Sequence, residues 1–143
     1  MSGAGKPPRL RRILETCLYV ADMQRARDFY ETVMGITPQF SEERITGYRL
    51  GDAMLLLFKA GGTLQPVHTP GGDIPPHDGS GPAHFAFSIE AGHETAWEQH
   101  LASHGIALES TVHWRKDNST SLYFRDPDGH LVELATPGLW GIA

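Results

Sequence analysis

The chain carries one pattern twice. Gly35-Ile36 and Gly105-Ile106 stand 70 positions apart (105 − 35), and each pair closes a helical pattern that follows an extended run. Self-similarity at a fixed period means that one supersecondary unit is used more than once. In the first copy, residues 13–20 alternate. Leu14, Thr16, Leu18 and Val20 fall on one face, and Glu15, Cys17 and Tyr19 on the other. Asp22 offers an N-cap, Met23, Ala26, Phe29, Tyr30 and Val33 follow at helical spacing, and Gly35 stops the helix. Extended runs come next at 37–42, 46–50 and 53–58, with a turn at Gly51-Asp52. The second copy predicts a strand at 84–89 and a helix over 92–104 with Ala96, Trp97, His100 and Leu101 as its buried stripe. Strands follow at 108–114, 119–124 and 130–135. Asp126-Pro127-Asp128-Gly129 joins the last two as a tight turn, because Pro presets φ and Gly accepts positive φ. The expected fold is α+β, two βαβββ repeats.

The boundaries follow from this pattern. Residues 1–12 read as a flexible tail, 13–59 as the first module and 60–82 as a Gly/Pro-rich linker without apolar period. Residues 83–137 make the second module and 138–143 a C-terminal tail. His68 and His77 fall in the linker and read as ordinary loop residues. Two copies of one unit packed about a pseudo-two-fold axis would face their curved sheets across a cleft, where ligands bind.

Composition removes several function classes. The 143 residues are 40% hydrophobic and 20% charged with a formal net charge of −5. A basic excess, the usual mark of a nucleic-acid or membrane-surface partner, is missing. Cys17 is the single cysteine, so no intrachain disulfide is expected. No stretch approaches the roughly 18 apolar residues of a membrane span, and the cationic start lacks the apolar run of a signal peptide. The expectation is a cytoplasmic protein.

Three polar residues occupy cleft-facing positions. Glu15 lies opposite the helix-packing face of its strand. His84 does the same beside Phe85, Phe87 and Ile89, and Glu133 beside Val132 and Leu134. In the repeat overlay Glu15 and His84 are equivalent, and Glu133 corresponds to Leu56. A buried carboxylate costs several kcal/mol unless paired or bound to a metal. One divalent cation would neutralise both carboxylates, and a neutral imidazole suits the same ion.

The chain resembles the vicinal-oxygen-chelate superfamily of glyoxalase I, fosfomycin-resistance enzymes, extradiol dioxygenases and bleomycin-resistance proteins. The resemblance rests on the 18–22 run Leu-Tyr-Val-Ala-Asp leading into Ala26-Arg27-Asp28-Phe29-Tyr30, then Val33-Met34-Gly35-Ile36. It continues in Gly81-Pro82-Ala83-His84-Phe85-Ala86-Phe87 and is strongest over 122–134, LYFRDPDGHLVEL. It implies metal ligands at Glu15, His84 and Glu133, with Glu133 also as catalytic base. Many members carry His where Glu15 stands. Glyoxalase I has a fourth ligand where this chain has Leu56, and an arginine where it has Tyr19. Tyr123 matches a substrate-contacting tyrosine of fosfomycin-resistance enzymes, and Cys17 stands where those enzymes place a small hydroxyl. Substrate contacts are therefore expected at Cys17, Tyr19, Leu56, Ser121 and Tyr123, while Arg115 and Lys116 read as a solvated hairpin end.

The resemblance implies a divalent-metal enzyme (Mn, Ni, Zn or Fe) of isomerase or lyase type. Its substrate would be a small molecule chelated through neighbouring oxygens. Two rivals stand beside it: a metal-free binding protein lined by Tyr19, Phe58, Trp114 and Tyr123, and a ring-cleaving dioxygenase or fosfomycin-type transferase. A homodimer is expected, each site drawing Glu15 from one subunit and His84 with Glu133 from the other.

Overall fold

The structure, a computed structural model, describes residues 5–115 and 117–142. Lys116 and the ends of both tails lie outside them. In the first module, β1 (Glu15–Val20) leads into α1 (Met23–Asp28). Asp22 caps α1, its carboxylate accepting from the Arg25 amide at 3.0 Å. The helix then widens into a π turn, Phe29–Val33, which periodicity alone does not reveal. It ends at Gly35, where φ is +73°. Strands β2 (Pro38–Ser41), β3 (Ile45–Leu50) and β4 (Ala53–Lys59) complete the module.

The second module repeats it with β7 (His84–Ser88), α2 (Glu94–Ser103), β8 (Ser110–His113), β9 (Thr120–Arg125) and β10 (Leu131–Ala135). Gly105 ends its helical segment at φ +72°, nearly the value at Gly35. Sheet orders are β1-β4-β3-β2 and β7-β10-β9-β8. The parallel pairs keep one register: Glu15 sits beside Met54 and Cys17 beside Leu56, as His84 sits beside Leu131 and Ala86 beside Glu133.

Three expectations change. The 60–82 linker is not wholly irregular, since β5 (Val67–Thr69) and β6 (Gly72–Ile74) form a small exposed hairpin. Ala96 is exposed, because α2 packs through Leu101 and, in part, Trp97 and His100. A 3₁₀ turn, Pro137–Trp140, follows β10 where a tail was expected.

The core joins the helix-facing sides of both sheets. Leu18, Val20, Tyr30 and Leu57 from the first module share one cluster with Leu101, Leu122, Phe124, Val132 and Leu134 from the second. Burial of such side chains supplies about 1.5–3 kcal/mol each. Polar ties cross the same seam. Tyr30 donates to Asp126 at 2.7 Å, His100 Nε2 lies 2.6 Å from the Val33 carbonyl, and His130 Nε2 lies 2.8 Å from the Tyr19 carbonyl. The packing consumes the helix sides and leaves the opposite face of each sheet uncovered by the other module.

Candidate metal centre and cleft

Val132 and Leu134 are fully buried in the core, so strand alternation turns Glu133 to the opposite face. His84 begins β7 on that same face. Its Nε2 lies 3.2 Å from Glu133 Oε1, and its Nδ1 lies 3.0 Å from the Leu131 carbonyl. A carbonyl only accepts, so Nδ1 carries the hydrogen. In the neutral ring, Nε2 is then a bare lone pair aimed at a carboxylate oxygen. Two acceptors at this separation call for a positive charge, which a proton shared between them or a metal ion bound by both supplies. The pair has the donor chemistry of two of a divalent ion's ligands, one imidazole nitrogen and one carboxylate oxygen.

Glu133 is held from its other side. The Ser121 hydroxyl donates to Oε2 at 2.6 Å, and the Trp114 indole N–H donates to Ser121 Oγ at 2.9 Å. Ser121, expected to meet substrate, is fully buried, and its hydroxyl is committed to Glu133. Tyr123 pairs directly with Glu133 across the sheet, its ring centroid 6.2 Å from that of His84. Burial, followed by the Glu133 charge, holds its phenol above the usual tyrosine value, so it stays a donor. Arg115 is exposed, in keeping with a solvated hairpin end.

The first sheet presents Glu15, Cys17 and Tyr19 in a row, with Leu56 and Phe58 beside them. Glu15 and Cys17 are exposed and Leu56 is buried. Partial burial, then the Glu15 charge, pushes the Cys17 thiol above its ordinary value, so it is a poor nucleophile. Among the described residues, no three His, Cys, Asp or Glu side chains come close enough to hold a metal ion. One chain therefore brings His84 and Glu133 together and leaves Glu15 apart.

His77 was missed as a cleft residue. Its Nδ1 lies 2.5 Å from the Tyr19 hydroxyl, and its ring meets Phe58 edge-on at 4.6 Å. The signal available in sequence was the pair Tyr19 and Phe58, two aromatics on a cleft face with nothing assigned to cover them. A separate cavity of about 550 Å³ lies between the modules, lined by Thr16, Met34, Phe85, Phe87, Trp97 and Leu134 among others. It is mostly apolar, and neither His84 nor Glu133 lines it.

Residues 12–134 match the model of the Glyoxalase/Bleomycin resistance protein/Dioxygenase superfamily. The chain belongs to this superfamily. A solved relative, the lactoylglutathione lyase from Agrobacterium tumefaciens, is 32% identical with a TM-score of 0.83, covering 96% of this chain and all of that one. The metallothiol transferase FosB of Shouchella clausii is 32% identical over 119 residues, 82% of this chain and 74% of that protein. A glyoxalase/bleomycin resistance protein/dioxygenase from Nocardioides shares the fold at 22% identity and a TM-score of 0.67. The two 32% identical relatives are named for different activities, a lyase and a transferase, so fold alone does not assign the reaction.

Proposed function

We propose that this chain is a divalent-metal enzyme of isomerase or lyase type, acting on a small molecule that offers two neighbouring oxygens. The observation that carries the reading is His84 Nε2 lying 3.2 Å from Glu133 Oε1 on the cleft face while Ser121 holds Oε2. Of the two 32% identical relatives, the one named a lyase lies in the same direction, while the one named a metallothiol transferase favours the transferase rival. His84 and Glu133 would hold the ion, with Glu15 of a second copy completing the set. When bound, the ion supplies Lewis-acid polarisation of the substrate oxygens. Glu133 would also be the group that accepts and returns a substrate proton, through the carboxylate lone pairs that the ion and Ser121 leave open. Ser121 keeps the carboxylate from rotating during that exchange, and Tyr123 offers its hydroxyl to a substrate oxygen.

The test is metal binding by purified, untagged protein. Incubation with manganese, nickel, zinc and iron followed by elemental analysis is expected to give one ion per chain, and Glu133→Ala is expected to abolish it. Near-zero metal in both proteins would sink this reading in favour of a metal-free binding protein. That second reading has its own observation, the aromatic surface of Tyr19, Phe58 and His77 on the cleft face.

A further inference from the structure

The 60–82 segment leaves β4, runs out into the β5–β6 hairpin and returns to the sheet it left. Its base is closed at residues 63 and 77. The His77 amide donates to the Thr63 carbonyl at 3.0 Å, and the Thr63 hydroxyl donates to the His77 carbonyl. Thr63 is buried, so this closure is part of the packed structure. Beyond it the chain lies on the cleft face of the first sheet. His77 sits on Phe58 and bonds Tyr19, and Gly79 lies so close to the Tyr19 ring that a Cβ there would stand 2.5 Å from a ring carbon. A contact that tight leaves no layer for solvent or ligand. Pro75 and Pro76 precede His77 and restrict the approach of the chain.

We propose that the 77–79 segment is a specificity wall of the cleft: it fills the aromatic subsite formed by Tyr19 and Phe58 and limits the substrate to compact molecules held near Glu15. Along β1, Tyr19 lies four residues from Glu15, about 13 Å at the rise of an extended strand. A substrate held at the Glu15 end meets the wall after roughly that distance. A tail finds Tyr19 and Phe58 only partly exposed there, since His77 and Gly79 lie against them and the Tyr19 hydroxyl is bonded to His77. His77 is the residue that decides this, because its ring meets both aromatics and its backbone closes the loop. The inference rests on the metal-dependent reading above.

The experiment uses two hydroxamates, which chelate a metal ion through adjacent oxygens as the proposed substrate does. Acetohydroxamate carries no tail, and 6-phenylhexanohydroxamate carries an apolar tail long enough to reach Tyr19. Binding to the manganese-loaded protein is measured by calorimetry. Wild type is expected to bind the two within threefold of each other. His77→Ala is expected to bind the long probe at least tenfold more tightly relative to the short one, as Tyr19 and Phe58 become free to receive the phenyl group. Tyr19→Phe, which cuts only the bond to His77, is expected to shift the ratio in the same direction by less. A tenfold preference for the long probe in wild type would overturn the wall, as would unchanged ratios in both variants. Failure of wild type to bind manganese or acetohydroxamate would instead overturn the metal reading and the wall with it.

Discussion

At Glu133 a single side chain carries two demands, and its neighbours divide them. Oε1 faces His84, while Oε2 is fixed by Ser121, whose hydroxyl is itself aligned by the Trp114 indole. Outer groups of this kind typically change metal affinity by about 10–100-fold when removed. Ser121→Ala is therefore expected to weaken manganese binding by roughly that factor, and Trp114→Phe by less, since the hydroxyl remains but loses its alignment. Ser121→Thr, which keeps the hydroxyl, is expected to restore most of the affinity. Calorimetric titration of the three variants checks this, and equal affinities throughout would remove the relay. The cleft-face placement of His84 and Glu133 was legible in sequence because alternation and repeat register fix which way a strand side chain points. The relay was not, because nothing in the 108–114 run says that an indole will lie over a serine seven residues later. The same limit explains the expected substrate contact at Ser121: alternation shows its face and not its partner.

At the scale of elements, the turn between β9 and β10 shows how local and long-range demands coincide. Asp126 is buried. Its Oδ1 accepts from the amides of Asp128 and His130 at 2.9 and 2.8 Å, shaping the turn, while Oδ2 accepts from Tyr30 of the other module. Burial, and then the Asp126 charge, hold the Tyr30 phenol far above its ordinary value, so it remains a donor at any working pH. Tyr30→Phe is expected to cost about 1.5–3 kcal/mol, the range for a hydrogen bond to a charged group. Asp126→Ala is expected to cost more, because two amides and a phenol lose their acceptor together. Urea denaturation at fixed protein concentration measures both, and a larger loss in Tyr30→Phe than in Asp126→Ala would contradict this division. The Asp-Pro-Asp-Gly turn was legible from Pro and Gly preferences, but the reach of Asp126 to Tyr30 was not, since it depends on how the modules dock.

A second element-level tie concerns acid. The bond from Arg27 holds the Glu31 carboxyl below its ordinary value of 4.5, with the Tyr48 hydroxyl helping. A carboxyl depressed in the folded state adds stability above its unfolded value and loses it as pH falls through the folded one. Glu31 is about a quarter exposed, so the amount is under about 1 kcal/mol after solvent screening. Between pH 6 and pH 3, Glu31→Gln is expected to lose less stability than wild type, by urea titration at each pH. The helix that carries this pair was predicted from its spacing. Its π turn was not, because periodicity locates a helical face without specifying how the last turn is wound.

The whole molecule has one unresolved balance of surfaces. Within one chain the helix-facing sides of both sheets meet in a shared core, so neither sheet covers the other's cleft face. That leaves β1 and β7 at the edges of their sheets, Glu15 exposed, and His84 about half exposed beside a carboxylate that is nearly buried. Unpaired edges beside polar, ligand-type side chains invite association with another chain. A two-fold dimer that sets the first sheet of one copy against the second sheet of its partner would bury both faces twice at once. It would also carry Glu15 to the His84–Glu133 pair that the single chain keeps from it. We predict a homodimer with two such shared sites. Glu15→Ala and Glu133→Ala proteins are each expected to bind little metal alone. After subunit exchange, each mixed dimer contains one site with both lesions and one site with none. Metal binding is then expected to recover toward one ion per mixed dimer, with exchange verified by native mass spectrometry. A monomer in sedimentation, or mixed dimers that remain empty, would place all three ligands outside a shared site and remove the physical reason for Glu15 to be a ligand at all.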